Sequence, residues 1–378
     1  MSGPGGIASV RTRTEAGVDT AAGSTVVAQP GLSGIGTVRQ PQEPLRVGVV
    51  GLGKVGVRRA RCVQEHPDLV LEAVCDVDPD RETVFPGLRF STDFEDLVRD
   101  DLDVIFACAY NSVAPQVVVD SLNGGKHVFC EKPPGRTLED VERIVAAARA
   151  NPGLKLKFGF NHRYHYAVRE AKSMIDGGRF GDILWMRGVY GKCGGLEFEE
   201  GWRNDLEVAG GGILLDQGIH MLDLFRYLSG EEFTTVKSVV TTAFWDIPVE
   251  DNAFAILQTD RGQVAMIHSS ATQWKHRFFL EICLEGGYIN ITGLLTSTRS
   301  YGDESITFAR RQFEDEASAF GRPREETVYF DRDDSWALEV ADFATAIRRD
   351  EPVDSGNSSD ALRVMQLIDE IYRRGRSR

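Results

Sequence analysis

From Leu45 onward, apolar and polar positions follow a regular rhythm. "LRVGVVGLGKVG" opens with an apolar run of strand length and ends in a glycine-rich turn. "VRRARCVQEH" then has the spacing of a helix that stops at Pro67. "LVLEAVCDVD" is a second strand and "DVIFACA" (Asp103–Ala109) a third, followed by "APQVVVDSLNGG", a helix closed by glycines. "HVFCEKP" is another strand. "TLEDVERIVAAARANPG" is a helix with Thr137 as its N-cap and Gly153 beyond its end, and "LKLKFGFNHRYH" is the last strand of the series. Apolar strands alternating with helices predict a doubly wound parallel sheet, with ligand bound at the strands' carboxyl ends.

After Tyr166 the rhythm changes. A helix, "AVREAKSMIDGG", leads to a partly alternating strand, "ILWMRGVYG". Beyond "GGGILLDQGIHMLDLFRYL" come six strands: "VKSVVTTAFW", "NAFAILQT", "QVAMIHSSATQW", "RFFLEICLE", "YINITGL" and "ETVYF". Short turns such as "DRG" and "EGG" separate several of them, which predicts a mostly antiparallel sheet. Two helices close the chain, from about Trp336 and about Asp360. The division expected is an N-terminal arm over 1–44, a nucleotide-binding domain over 45–165 and a second, α+β domain over 166–378.

The arm carries no periodic apolar face and cannot bury enough surface to offset its ordering entropy, so it is expected to be flexible. It also lacks the continuous apolar core of an export signal. A net charge of −14 argues against a nucleic-acid partner, which needs clustered basic surface. No run approaches the roughly 18 apolar residues of a membrane span. The six cysteines have no CxxC spacing and several sit in apolar runs, as expected of reduced thiols in a cytoplasmic protein.

Candidate chemistry lies where the first series of strands ends. Gly51, Gly53 and Gly56 form a GxGxxG in the strand–turn–helix context that a dinucleotide fingerprint needs. Gly51 permits the tight turn, Gly53 lets the backbone approach a pyrophosphate, and Gly56 allows helix to pack closely on strand. Lys54 and Val55 open the helix whose free N–H groups face the phosphates. Asp76 ends the second strand, where a carboxylate accepts hydrogen bonds from the adenosine ribose and repels a 2′-phosphate, so NAD is expected over NADP. "EKPP" (Glu131–Pro134) leaves the sheet with Lys132 above the cofactor, followed by two prolines that restrict the backbone and provide a place for a cis bond. In "GGGILLDQGIHMLD", Asp216 and His220 are four apart, hence on one helix face, behind glycines that would let the chain approach a ligand. A His suits proton transfer near neutral pH. His162, His165, Cys193 and His220 fit no compact zinc pattern, and no metal is expected.

Taken together, "GLGKVG", "EKPP", "FGFNHRYH" and "GGGILLDQGIHMLD", in this order and spacing, resemble the glucose–fructose oxidoreductase and inositol dehydrogenase family, Gfo/Idh/MocA. The resemblance runs from about Leu45 to Arg374. It implies a Rossmann domain joined to a domain whose open, mostly antiparallel sheet builds homodimers or homotetramers. It also implies nicotinamide-dependent oxidation or reduction at a secondary alcohol of a sugar, nucleotide sugar, aminoglycoside-type glycoside or cyclitol. The family's catalytic Lys, Asp and His fall on Lys132, Asp216 and His220. Cofactor contacts extend to Asn111, Glu131 and Lys132. Substrate contacts fall on Asn161, Arg163, Lys192, Trp202, Arg203, Asp216 and His220. The chain departs from the family where Thr-Pro-Asn is usual, reading Ala109-Tyr110-Asn111. Two other functions known in the family stay open: an NAD-dependent glycosidase and a non-catalytic dinucleotide-binding regulator.

Overall fold

The structure, a computed structural model, describes residues 43–312 and 321–375. The arm expected over 1–44 lies outside these residues apart from its last two. Strands β1 (Leu45–Val50), β2 (Leu69–Cys75), β3 (Arg89–Ser91), β4 (Val104–Ala107), β5 (His127–Cys130) and β6 (Leu156–Phe158) form a parallel sheet in the order β3-β2-β1-β4-β5-β6. Helices α1 (Lys54–Glu65), α2 (Phe94–Arg99), α3 (Ala114–Asn123) and α4 (Leu138–Ala150) connect them. All four residues of β4 are buried, as a strand covered on both faces must be. The order reverses between β1 and β4, and a ligand crevice forms at such a switch point. Thr137 caps α4 by accepting the Asp140 N–H, as expected.

Two short elements, β3 and α2, have too few residues to show a period in the sequence. The expected strand "LKLKFGFNHRYH" ends at Phe158 and turns into a 3-10 segment, Asn161–Tyr164. The Phe160 N–H bonds back to the Phe158 carbonyl, which ends the extended run.

The second sheet collects β7 (Ile183–Gly191), β8 (Phe233–Thr241), β9 (Asn252–Thr259), β10 (Val264–Ser270), β11 (Arg277–Leu284), β12 (Gly287–Thr292), β13 (Glu304–Arg310) and β14 (Glu326–Phe330). Its order is β14-β13-β12-β11-β7-β10-β9-β8, antiparallel throughout except for the β7–β10 pair. Strand β13 was not expected. It begins with a buried carboxylate, Glu304, which accepts the Ala167 and Leu295 N–H groups and faces His165, and it does not alternate.

Helices α5 (Tyr166–Asp176), α6 (Leu206–Ala209), α7 (Ile219–Ser229), α8 (Ser335–Arg349) and α9 (Ser358–Gly375) complete the chain. Helix α7 lies against the sheet at Gly188, where the missing side chain leaves room for Met221 and Phe225. Helix α8 returns to the first sheet. Its Phe343 meets Phe106 of β4 and Phe129 of β5 edge-on, so a distant helix completes the parallel sheet's core. The outer face of the second sheet carries exposed Val239, Phe254, Ile256 and Met266. Among the described residues no helix is long and apolar enough to cross a membrane.

Candidate active site

The glycine turn between β1 and α1 matches its expected geometry residue by residue. Gly51 has φ +91°, and a Cβ there would lie 2.6 Å from the Cys108 carbonyl oxygen. A Cβ on Gly56 would lie 1.8 Å from the Gly51 oxygen, so helix and turn are in contact. A Cβ on Gly53 would meet nothing within 4 Å. Open space therefore stands in front of Gly53, the N-cap of α1. The first turn has no capping side chain and no acidic residue, so its N–H groups are not offset by a carboxylate of their own helix. Asp76 borders it. One of its carboxylate oxygens accepts the Leu52 N–H at 2.6 Å and the other the Asp78 N–H at 3.0 Å, tying β2 to the turn. Arg81, the nearby cation that could attract a 2′-phosphate, faces Asp78 at 3.6 Å. The turn thus has the shape, the donors and the flanking carboxylate that suit a dinucleotide.

Lys132 leaves the end of β5 through a cis Lys132–Pro133 bond. Its ammonium donates to the Asp216 carbonyl at 2.6 Å and lies 3.5 Å from the Asp216 carboxylate. Lys192, one residue past β7, reaches the other carboxylate oxygen at 2.9 Å, and the Arg203 Nε lies 3.3 Å from the first. Three cations thus surround one carboxylate. Burial alone would raise the Asp216 pKa, but Lys192, then Lys132 and Arg203, outweigh it and hold Asp216 well below the usual range. Burial lowers the Lys132 ammonium, against the pull of Asp216.

Asp216 does not sit on an ordinary helix. Leu214–Gly218 is a π-helical segment closed by the Ile219 N–H donating to the Leu214 carbonyl, and α7 follows directly. Such wide turns recur at functional sites. Asp216 and His220 are not hydrogen-bonded to each other. His220 instead stacks on His162, ring centroids 3.6 Å apart and planes within 16°. The His220 Nδ1 is buried without a partner. Burial first, and then the Lys132 charge, holds His220 well below the ordinary imidazole pKa although Asp216 opposes this; the ring is neutral at pH 7. His162 is lowered in the same way, by burial and then by His220. Its ring nitrogens face Asn161 Oδ1 at 3.2 Å and the Tyr190 hydroxyl at 3.1 Å.

Other expected residues are committed elsewhere. Arg163, expected at the substrate, is buried and saturated instead, with Asp223 on one side and Asp360 on the other. Asn161 donates to the Ser335 hydroxyl at 3.2 Å and braces His162. Glu131, expected at the cofactor, is paired through its side chain with buried Arg59 of α1, which also holds Glu339 of α8. Asn111 donates to the Ala209 carbonyl at 2.8 Å, joining the loop after β4 to the end of α6. Beside it Tyr110 meets Trp202 edge-on at 4.9 Å, and the Arg203 guanidinium lies 4.4 Å from the Trp202 ring centroid.

The glycines before Asp216 have a different reason from the expected one. A Cβ on Gly210, Gly211 or Gly212 would collide with Arg136, with the Tyr372 hydroxyl or with the Glu250 carbonyl. They allow protein, not ligand, to pass close by. Buried Glu250 accepts the Gly212 and Leu214 N–H groups, both at 2.9 Å, and so holds the start of the π-helical segment. Glu250 is not among the residues expected at the site, and His162 is expected there in no role but that of a metal ligand, which its spacing excludes. An acidic pair, Glu250-Asp251, leading straight into an apolar strand was the available signal. Among the described residues no cluster of His, Cys, Asp and Glu could hold a metal ion.

Two family models cover most of this architecture. Residues 45–158 match the oxidoreductase family with an NAD-binding Rossmann fold, and residues 168–290 match the Gfo/Idh/MocA C-terminal domain. The chain belongs to the Gfo/Idh/MocA oxidoreductase family. Similar members include the oxidoreductase YrbE of Bacillus subtilis, 27% identical over 59% of this chain and 66% of that one. The myo-inositol 2-dehydrogenase of Thermotoga maritima is 27% identical over 60% of this chain and 68% of that one. The D-glucoside 3-dehydrogenase of Escherichia coli is 29% identical over 60% and 70%. The chain thus spans about two thirds of the length of these curated relatives. Among solved structures, a levoglucosan dehydrogenase in complex with NADH and levoglucosan shares the fold, with a TM-score of 0.78 at 22% identity over 88% of this chain and 97% of that one. In Gfo/Idh/MocA terms, the Rossmann half supplies the glycine turn and Lys132, and the C-terminal half supplies Lys192, Arg203, Asp216 and His220.

Proposed function

We propose that this Gfo/Idh/MocA member is an NAD-dependent dehydrogenase that oxidises a secondary hydroxyl of a sugar or cyclitol, or reduces the corresponding ketone. The observation that carries the reading is the meeting of Lys132, from the end of β5, with Asp216 from the second domain, within reach of whose charges lies His220, its Nδ1 without a hydrogen-bond partner. The named relatives, dehydrogenases of inositol and of a glucoside, support the substrate class. NAD, when bound at the Gly51–Gly56 turn, supplies the hydride acceptor at the nicotinamide. His220 takes the proton of the reacting hydroxyl, a role that requires the neutral ring its burial provides. Lys132 donates a hydrogen bond to the oxygen as negative charge grows on it. Asp216 holds Lys132 in place and orients the hydroxyl, while Lys192, Trp202 and Arg203 border the substrate.

The same reading assigns residues 45–165 to cofactor binding and the following residues to substrate binding and assembly. A second copy of the chain would cover the apolar outer face around Val239, Phe254, Ile256 and Met266. All six cysteines are unpaired, in keeping with a reducing, cytoplasmic setting. The test is NADH formation at 340 nm with a panel of sugars and cyclitols. Net NADH accumulating with a free alcohol is the expected outcome. Release of an aglycone without net NADH would indicate a glycosidase, and no turnover with any of the panel would indicate a regulator.

A further inference from the structure

Among the described residues, buried cations are otherwise matched or outnumbered by carboxylates. Arg59 lies between Glu131 and Glu339, and Arg163 between Asp223 and Asp360. At Asp216 the ratio is inverted: Lys132, Lys192 and the half-exposed Arg203 all lie within 3.5 Å of one carboxylate, with Glu131 acting on Lys132 besides, in a chain whose net charge is −14. The strongest charges acting on Asp216 are these three cations, Lys192 first. Like charges crowded this closely repel, and one carboxylate neutralises only one of them.

The second observation is directional. Arg203 gives only its Nε to Asp216, and its two terminal nitrogens make no hydrogen bond to any described residue. The guanidinium nonetheless rests over the Trp202 ring, its carbon 4.4 Å from the ring centroid, and Tyr110 meets that ring edge-on. A planar fork held by Asp216 at its Nε and by the Trp202 ring, with its terminal donors free, is suited to bidentate recognition of a carboxylate or phosphoryl group. Lys192 likewise makes its one side-chain hydrogen bond to Asp216, with its ammonium over the Phe198 ring.

We infer that the substrate is an anionic sugar or cyclitol, one carrying a carboxylate or a phosphoryl group that Arg203 and Lys192 receive beside the reacting hydroxyl. This rests on the dehydrogenase reading for the place of the substrate, not for its charge. The anion offsets the excess positive charge at Asp216. A neutral sugar would leave that excess uncompensated.

The test is calorimetric titration of the NADH-loaded protein with glucuronate, glucose 6-phosphate and glucose. At least one acid should bind about 10- to 100-fold more tightly than glucose, the range for one charge-assisted hydrogen-bonded contact. The tighter of the two identifies carboxylate or phosphate. R203Q and K192Q should each reduce that preference severalfold, and melting curves with NADH alone should confirm that both variants are folded. Glucose binding as tightly as both acids, binding by neither acid, or a preference intact in both variants would overturn the proposal. Hydride transfer is scored separately. An acid that binds selectively without forming NADH from NAD counts against the dehydrogenase and not against the anion site, and turnover of neutral sugars alone does the reverse.

Discussion

Two glycines three residues apart should respond to the same methyl group in opposite ways. In Gly56→Ala the new Cβ would sit 1.8 Å from the Gly51 oxygen, at least about 1.2 Å short of the 3.0 Å that real contacts respect. Backbone opposes backbone there, so no side chain can swing aside, and α1 must move off the turn. Overpacking of this kind costs roughly 1–3 kcal/mol and occasionally more, a drop of several degrees in melting temperature with no ligand present. In Gly53→Ala the Cβ meets nothing within 4 Å, and φ of −63° suits alanine, so the apo protein should lose only about 0.5 kcal/mol as a weaker N-cap. What the methyl occupies is the space through which backbone N–H groups would reach a pyrophosphate. Loss of one charge-assisted hydrogen bond there should weaken NADH binding about 10- to 100-fold. At a ligand concentration 100 times the wild-type Kd, the wild-type protein gains about 2.7 kcal/mol of stability, and about half of that gain or more should vanish in Gly53→Ala. The assay is thermal unfolding of both variants with and without NADH, alongside direct titration. A Gly53→Ala protein that binds NADH like the wild type, or a Gly56→Ala protein that melts unchanged, would refute the assignment of the turn.

Four further outcomes are expected. His220→Ala should lower turnover by roughly 10²–10⁴-fold with NADH affinity unchanged; because burial lowers the His220 pKa, the acid limb of the wild-type kcat profile should lie below pH 6.5, and a limb above that pH would remove His220 as the base. Glu339 is pushed up to about 7 from 4.5 by burial, against the pull of Arg59. Its folded state therefore holds the proton more tightly, and its contribution, up to about 3 kcal/mol, is present below pH 4.5 and lost as pH rises through 7; Glu339→Gln should lose less melting temperature than the wild type between pH 5 and 8. Asp76→Asn keeps an acceptor for the Leu52 N–H but removes the charge, so the ratio of NADPH to NADH affinity should rise about tenfold in fluorescence titrations. Ile256→Asp on the exposed apolar face should yield monomers by light scattering if a second copy covers it, and an unchanged mass would exclude this face from the assembly.

The glycine turn, the alternating strands and helices and the emergence of Lys132 at the end of β5 were legible in the sequence, because each is a local constraint. A positive φ, a helix start and a buried strand impose their residue types over a dozen positions or fewer. Asp216 and His220 were legible as candidates, but their partners were not. The π-helical segment that holds Asp216 depends on Glu250, 34 residues downstream, and the stack on His220 comes from His162, 58 residues upstream. Arg163 looked like a substrate ligand because nothing nearby in the chain reveals Asp223 and Asp360, which saturate it. The glycines at 210–212 announced a close approach, and only the packing of Arg136, Tyr372 and Glu250 shows that protein makes it. Local backbone chemistry is written in consecutive residues. Charge balance, burial and ring stacking arise between residues that only the folded chain brings together, and these set the protonation of His220 and the crowding of three cations at Asp216.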